Sequence, residues 1–334
     1  MVQKKRLALL FRVLIPALTY GFITWKLSQV AGGWHEAGLS AVMSNPGLIA
    51  IVVAMMPINW LLEAVRWKKL TGRVQTLSIQ KSLTSVVAGI TMGLFTPRRI
   101  GDVGGRCLMM APGKRRQGMV AFGLGSLLQT AVTSLFGVLA MVSLIAGSDP
   151  LPGKQSLLLL AGALTTGTLL MLWVTHLSRF KNLLLKIPFL KRYSHVLSYL
   201  DNTPSFYLLK IFLLGVARYI LFASQFYLLI RAFGPSIPLL QAYTGIALTY
   251  FLMTFVPLSS LAGLGIRGST AVFVFSLFTP QTGGIVLAAL SLWTINLALP
   301  ALAGAWILGQ ATQGQWKRPL SRAASKSYKS FLEF

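Results

Sequence analysis

Acidic residues are scarce in this sequence, with only six among 334 positions. No group of carboxylates is close enough in sequence to suggest a metal cluster. The single cysteine, Cys107, excludes an intramolecular disulfide and a cysteine-based metal site. The three histidines (His35, His176 and His195) lie far apart, and no Ser-His-Asp or Cys-His arrangement can be identified. We therefore expect no metal, no cofactor and no catalytic residues.

Charged residues of either sign make up only 11% of the chain, whereas soluble domains average about a quarter. Hydrophobic residues make up 54%, and the mean hydropathy is +0.68. Several apolar runs reach the roughly 20 residues that a helix needs to cross a bilayer. The short alternating segments typical of transmembrane β-barrels are absent. The sequence predicts an all-α fold, namely a polytopic transmembrane helix bundle.

The apolar segments predict about eight crossings within one transmembrane domain, residues 1–312, followed by a basic cytoplasmic tail, residues 313–334. Two apolar stretches, near 82–112 and 258–280, are interrupted by proline and glycine. The first has basic flanks on both sides and is expected to be re-entrant, and the second is expected to cross as broken helical pieces. The uninterrupted crossings are expected at about 7–28, 47–66, 118–146, 155–177, 205–231, 237–257 and 282–309.

Lysine and arginine total 31, giving a formal charge of +25. In a soluble protein this excess would suggest nucleic acid, but in a membrane protein such residues concentrate in cytoplasmic loops. The basic segments include the N-terminus and the C-terminal tail. We therefore expect no nucleic-acid partner and a multi-pass protein of the cytoplasmic (inner) membrane with both termini in the cytoplasm.

The segment LFTPRRIGDVGGR, residues 94–106, concentrates charge between apolar stretches. Its proline should end the preceding helix, and its glycines permit a tight turn with N–H groups free to bind an anion. The planar guanidinium groups of the arginines are suited to binding a phosphate, and the aspartate could orient them. The alternative is an ordinary cytoplasmic loop whose arginines contact bulk headgroups. The candidate residues of a lipid-phosphate site are Pro97 as the helix breaker, Arg98, Arg99 and Arg106 as phosphate ligands, Gly101 in the turn and Asp102 orienting the arginines.

The second interrupted segment repeats this chemistry with Pro257, Gly263, Gly265 and Arg267. Paired interruptions in the two halves of a membrane chain indicate a transport site. Residues 263–268 also match G-x-G-x-x-G, but a dinucleotide site would need a βαβ unit, which apolar helical surroundings exclude. Since non-helical backbone at membrane depth must be covered by protein or line a wet cavity, the two segments together predict a cavity in the bundle.

Two of the ionisable residues inside predicted crossings are candidates for function. Arg218 is close to the middle of its span, so it should face a cavity or a partner. Glu63 has two interpretations, either lining the transport route or simply pairing near the span end with Arg66 or Lys68. The polar residues Gln129, Thr130 and Asn296 are interpreted as interhelical hydrogen-bonding groups, and Trp67 as an interface anchor.

These motifs resemble those of the lysylphosphatidylglycerol synthase transmembrane, or flippase-like, family. Pro97, Arg99, Gly101, Asp102 and Arg106 match its first signature, with aspartate where glutamate is more usual. In the second, PLSSLAGLGIRGS, the matching residues are Pro257, Gly263, Gly265 and Arg267, and Gly268 replaces the usual glutamate. The resemblance spans roughly residues 7–310 and implies the membrane domain alone, without the soluble aminoacyltransferase domain of larger relatives.

The resemblance implies an integral membrane flippase or lipid-phosphate transporter that binds an anionic headgroup, from a phospholipid or a polyprenyl-phosphate-linked lipid, between two broken helices. No G-x-x-x-x-G-K-[ST] loop for ATP is present. The main alternative is an accessory protein that serves a lipid- or glycan-modifying enzyme partner without transporting anything. A membrane-embedded transferase is a third interpretation, for which Asp102 alone gives little support.

Overall fold

The computed structural model describes residues 43–94, 96, 99–148, 161–162, 165, 204–234, 236–255 and 263–306. Within these ranges all regular secondary structure is helical, which confirms the all-α class. In chain order the helices are α1 (Pro46–Thr71), α2 (Ile79–Leu94), α3 (Ile100–Leu108), α4 (Arg115–Ser148), α5 (Ser205–Phe233), α6 (Leu239–Phe255), α7 (Gly263–Phe275) and α8 (Gly283–Trp293).

Among the described residues, four stretches of helix are long and apolar enough to cross a membrane: α1, α4 with the 3₁₀ turn before it, α5, and Gly283–Trp306. The last of these consists of α8, the π-helix Thr294–Ala298 and helical residues 299–306. These four confirm predicted crossings, so a polytopic helical bundle is the architecture. The predicted crossings at 7–28 and 155–177, and the basic tail, lie outside the described residues.

Helix α5 is central to the described bundle, because it packs against α1, α4, α6 and α8. One apolar cluster joins α1, α2, α4 and the start of α5, with Trp67, Leu128 and Leu208 completely buried or nearly so. A second joins the end of α5 to α6, α7 and α8 around Phe226 and Phe275. The two clusters leave a polar region between them, and this region contains the candidate site.

Helices α2 and α3 form a closely packed antiparallel hairpin. A methyl group on Gly105 would meet the carbonyl oxygen of Ala88 at 2.5 Å, and one on Gly101 would collide with the backbone of Met92. Glycine is therefore required at both positions for the two backbones to approach. Sixteen residues of α2 extend about 24 Å, less than the roughly 30 Å hydrocarbon layer, so α2 alone is too short to cross, and the re-entrant position of the hairpin stays a prediction.

The connection within this hairpin is an abrupt turn. Thr96 accepts a hydrogen bond on Oγ1 from the backbone N–H of Gly101 at 2.7 Å, and Arg99 adopts a left-handed φ of 57°. A non-glycine residue in this conformation costs about 1–3 kcal/mol. The turn places α3 with the Asp102 and Arg106 side chains buried against the rest of the bundle.

Two described helices flank the second interrupted segment. Helix α6 is described up to Phe255 and the 13-residue α7 from Gly263, and residues 256–262 lie outside the described residues. Helix α7 packs against α6 and α8. At about 20 Å, α7 is too short to cross a bilayer alone, and the broken crossing near 258–280 stays a prediction.

Candidate functional site

A cavity of about 290 Å³ opens in the polar region between the two apolar clusters. Helices α1, α2, α3, α4, α5 and α7 and the π-helix all contribute to its lining. Its volume is close to the lower end of the range for small-molecule sites, which is about 300 Å³. The charged residues of the lining are Glu63, Arg66, Arg99, Asp102, Arg106, Arg218 and Arg267.

Glu63 on α1 is the shared counterion of three arginines. Its Oε1 accepts a hydrogen bond from Nη1 of Arg106 at 2.6 Å. Its Oε2 lies 3.1 Å from Nη1 of Arg218 and 3.4 Å from Nη1 of Arg66. The predicted pairing with Arg66 is therefore present, but it is the weakest of three contacts, and the other two connect α1 to α3 and α5. Glu63 lies inside the bundle rather than in a solvated span end.

Asp102 neutralises the other side of Arg106. Its Oδ1 accepts a hydrogen bond from Nε of Arg106 at 2.6 Å, and its Oδ2 lies 3.5 Å from Nη2 of the same guanidinium. Oδ2 also contacts Nη2 of Arg99 at 3.4 Å. Asp102 therefore orients two arginines, as expected from the sequence, and Arg106 is held between two carboxylates in an almost completely buried position.

Aromatic rings enclose the guanidinium of Arg106. Cζ of Arg106 lies 5.6 Å from the ring centroid of Trp67 and 5.2 Å from that of Phe122, and both distances are within the range of a cation–π contact. Trp67 is completely buried, so its interpretation as an interface anchor is wrong. The sequence pattern failed here because tryptophan near a span end looks the same whether it faces lipid or an internal ion pair.

Arg66 is directed toward α4 as well as toward Glu63. Its Nη1 donates to Oε1 of Gln129 at 3.1 Å, and its Nη2 donates to the backbone carbonyl of Gly125. Gln129 and its neighbour Thr130 both line the cavity. The predicted interhelical hydrogen bond of Gln129 is confirmed, and only the cavity was not predicted from the sequence, although a stripe of small and polar residues at positions 125, 126, 129, 130 and 133 marks one face of α4.

On the α5 side of the cavity, the side-chain amides of Asn59 and Asn296, here called the amide ladder, hold Arg218 in position. Nε of Arg218 donates to Oδ1 of Asn59 at 3.0 Å, and Nδ2 of Asn59 donates to Oδ1 of Asn296 at 2.9 Å. Asn296 donates in turn to the carbonyl of Leu292 at 3.2 Å. Asn296 lies in the π-helix, an irregularity that is frequent at functional sites. The prediction that Arg218 faces a cavity or a partner is confirmed on both counts.

Arg267 lines the cavity from α7, on the side of the second interrupted segment. In the part of the chain that the structure describes, no carboxylate forms an ion pair with it. It lies close enough to Arg99 for the two positive charges to repel each other. The structure thus brings residues of both interrupted segments to one cavity, as the sequence motifs predicted.

The net charge of the lining is strongly positive. The part of the lining that the structure describes has five arginines and two carboxylates, an excess of three positive charges. Side chains of Arg99 and Arg218 are 38% and 28% exposed, whereas those of Arg66 and Arg106 are 4% and 6% exposed. Arg99 and Arg218 are therefore the more accessible of these four arginines and, although each contacts a carboxylate, they can reach a ligand.

Several candidate residues have other positions or cannot be placed. Gly101 does not line the cavity, because its N–H is bound to Thr96 and its backbone packs against Met92. Gly263 and Gly265 form the first turn of α7. Pro97, Arg98 and Pro257 lie outside the described residues. In the described ranges no group of three or more histidine, cysteine or acidic residues could hold a metal ion.

Comparison with known proteins now identifies the architecture. The chain matches the family model described as the lysylphosphatidylglycerol synthase TM region over residues 7–304. No curated protein matches the sequence. The matched region includes both interrupted segments and every charged residue of the cavity. The chain therefore belongs to the family of the lysylphosphatidylglycerol synthase transmembrane region.

Proposed function

We propose that this membrane protein is a lipid flippase or lipid-phosphate transporter of the cytoplasmic membrane that binds an anionic headgroup in the arginine-lined cavity. The observation that carries the proposal is the excess of three positive charges in a cavity inside an apolar helix bundle. Buried charge without a counterion is costly in a membrane protein and is retained where it binds a substrate. A headgroup phosphate supplies the missing negative charge.

The contacts that each arginine makes indicate different roles for the five arginines. Arg66 and Arg106 are held by carboxylates, a carbonyl and aromatic rings, so they build the cavity wall. Arg99, Arg218 and Arg267 retain donor capacity and would bind the phosphate. Asp102 and Glu63 would keep the donors oriented while the headgroup enters and leaves.

Transport also fits the position of the cavity between two interrupted segments. Short helices that end inside a bundle can shift without breaking a long helix, and such segments form the substrate sites of many transporters. The hairpin α2–α3 and helix α7 approach the cavity from different parts of the chain. Relative movement of these two would expose the headgroup to alternate leaflets.

The test is lipid movement in proteoliposomes. Phosphatidylglycerol labelled on an acyl chain with a nitrobenzoxadiazole dye keeps its native headgroup, and dithionite reduces only the dye in the outer leaflet. Wild-type protein should increase the reduced fraction beyond the half seen in protein-free vesicles. Arg267→Gln and Arg218→Gln should abolish the increase, and Arg231→Gln, an exposed arginine at the end of α5, should retain it.

Failure has a defined meaning in this assay. If folded wild-type protein moves no labelled phospholipid or polyprenyl phosphate in either direction, the transport proposal is overturned. Retained binding of a glycan- or lipid-modifying enzyme would then favour the accessory role. A new lipid species detected by mass spectrometry after incubation would indicate a transferase instead.

A further inference from the structure

The cavity has a donor and acceptor pattern that distinguishes among headgroups. All four oxygens of the two carboxylates already contact guanidinium nitrogens: Oε1 and Oε2 of Glu63 and Oδ1 and Oδ2 of Asp102. Neither carboxylate has an oxygen without a partner for a cationic ligand group. Among the described residues, an ammonium group entering this cavity would therefore meet an excess of three positive charges and no carboxylate oxygen without a partner.

The available groups are donors. In the described residues, Arg267 forms no ion pair and no hydrogen bond, and Arg218 uses Nε and Nη1 but has no bound partner for Nη2. The guanidinium of Arg99 makes one ion-pair contact, at 3.4 Å, through Nη2. Arg99, Arg218 and Arg267 line the same cavity, where the charge of Arg99 repels those of the other two. Three such donors in one cavity are best satisfied by a compact multivalent anion.

We propose that the cavity selects a phosphomonoester, a phosphate with one ester bond and two negative charges, over phosphodiester headgroups and over any headgroup that carries an ammonium group. This inference rests on the proposed function and specifies its substrate class. A phosphomonoester offers three non-ester oxygens, one for each arginine that retains donor capacity, whereas a phosphodiester offers two and a single charge. The phosphate of a glycerolipid or of a polyprenyl lipid has this chemistry, and so does free inorganic phosphate.

The size of the cavity agrees with this class. A volume of about 290 Å³ holds a phosphate with a few waters, since a water molecule takes up about 30 Å³ of liquid. A phosphate bearing an aminoacylated glycerol would fill most of that space and bring its ammonium group against the arginines. The family is described by its connection with lysylphosphatidylglycerol, but this lining is ill-suited to a cationic headgroup.

The experiment is a binding comparison in detergent, independent of transport. Purified full-length protein is titrated with short-chain phosphatidic acid, phosphatidylglycerol, phosphatidylethanolamine and lysylphosphatidylglycerol, and bound lipid is counted by native mass spectrometry. Phosphatidic acid should bind about tenfold tighter than phosphatidylglycerol, as expected for one additional charge-assisted hydrogen bond. Arg267→Gln should reduce this ratio to less than threefold, while Arg267→Lys, which keeps the charge, and Arg231→Gln should retain most of it.

A pH series provides an internal control. The second pKa of a phosphomonoester is near 6, so phosphatidic acid should bind several-fold tighter at pH 7.5 than at pH 5.5. Phosphatidylglycerol carries one charge throughout and should bind equally at both values. Equal binding of the two lipids at pH 7.5, or tighter binding of lysylphosphatidylglycerol or phosphatidylethanolamine, would overturn the proposal.

Competition with inorganic phosphate distinguishes a lipid phosphate from free phosphate as the ligand. If millimolar phosphate competes with phosphatidic acid, both occupy the arginine cavity and the proposal is supported. If phosphate binds in an Arg267-dependent manner but no lipid does, the phosphomonoester site stands and the lipid-transport function fails. If phosphatidylglycerol and phosphatidic acid are transported and bound equally well, the transport function stands and the phosphomonoester preference fails.

Discussion

Glu63 and Arg106, separated by 43 positions in sequence, form an ion pair of 2.6 Å that joins α1 to the α2–α3 hairpin. Both side chains are nearly inaccessible, and the remaining atoms of each are occupied by further ionic contacts. Removing either partner leaves an uncompensated charge in a poorly solvated space. The pair therefore controls the stability of the site as well as its charge.

Replacement of Glu63 by glutamine should destabilise the protein strongly, because three arginines lose their shared counterion. Breaking a buried ion pair from one side costs about 3–5 kcal/mol. The thermal unfolding midpoint in detergent, followed by tryptophan fluorescence, should fall clearly. The double variant Glu63→Gln, Arg106→Gln should recover part of the loss. A single variant as stable as wild type would show that this pair does not stabilise the bundle.

Replacement of Arg267 by glutamine should have the opposite effect on stability. Its charge repels Arg99 and has no carboxylate partner in the described residues. Without ligand the variant should unfold about 2 °C higher than wild type, while binding of phosphatidic acid is lost, since sites that bind charge commonly sacrifice stability. A midpoint several degrees lower than that of wild type would indicate that Arg267 supports the fold rather than a ligand.

In α3, we expect Gly104→Ala to be tolerated and Gly105→Ala to destabilise the α2–α3 hairpin. Gly105→Ala would place a methyl against the Ala88 carbonyl at 2.5 Å, whereas the nearest atom for Gly104→Ala is Cε of Met92 at 3.8 Å. The first change should cost about 1–3 kcal/mol through overpacking. The second should be neutral or gain up to about 1 kcal/mol of helix propensity.

Thermal unfolding of the two purified alanine variants checks this difference, since both lie on one nine-residue helix and differ only in the facing surface. Similar midpoints for the two variants would contradict the close antiparallel contact between α2 and α3.

The hydrogen bonds from Arg218 through Asn59 to Asn296 predict that loss of Asn296 weakens the site. Asn296→Leu removes the acceptor of the Asn59 amide, and an unsatisfied buried group costs about 1–3 kcal/mol. Arg218 also loses the support of a fixed Asn59, so lipid movement in proteoliposomes should decline. The hydroxyl of Thr294, which donates within its own helix to Leu290, gives the matched control Thr294→Val. If this control and Asn296→Leu behave alike, the ladder has no special role.

The sequence could predict those features of the fold and the site that depend on single residues or short local motifs. Proline and glycine act on the backbone where they stand, so both interruptions were visible in sequence, as was the mid-span Arg218. The pairing of Glu63 with Arg106 and Arg218 depends on how three helices pack, and no local pattern encodes it. The interhelical hydrogen bonds of Gln129 and Asn296 were predicted correctly, but their place in the cavity was not, because a polar residue that joins helices has the same appearance in sequence whether or not it also lines a cavity.

The distribution of charge among the helices also bears on how the protein is made. Alone in a bilayer, α5 would carry Arg218 without compensation, and α3 would carry Arg106 with only Asp102 beside it. The carboxylate that both arginines require is on α1, which the ribosome synthesises before either of them. Each later segment thus enters a membrane in which its counterion is already present, and biogenesis in this order spares the nascent chain an isolated charge in lipid.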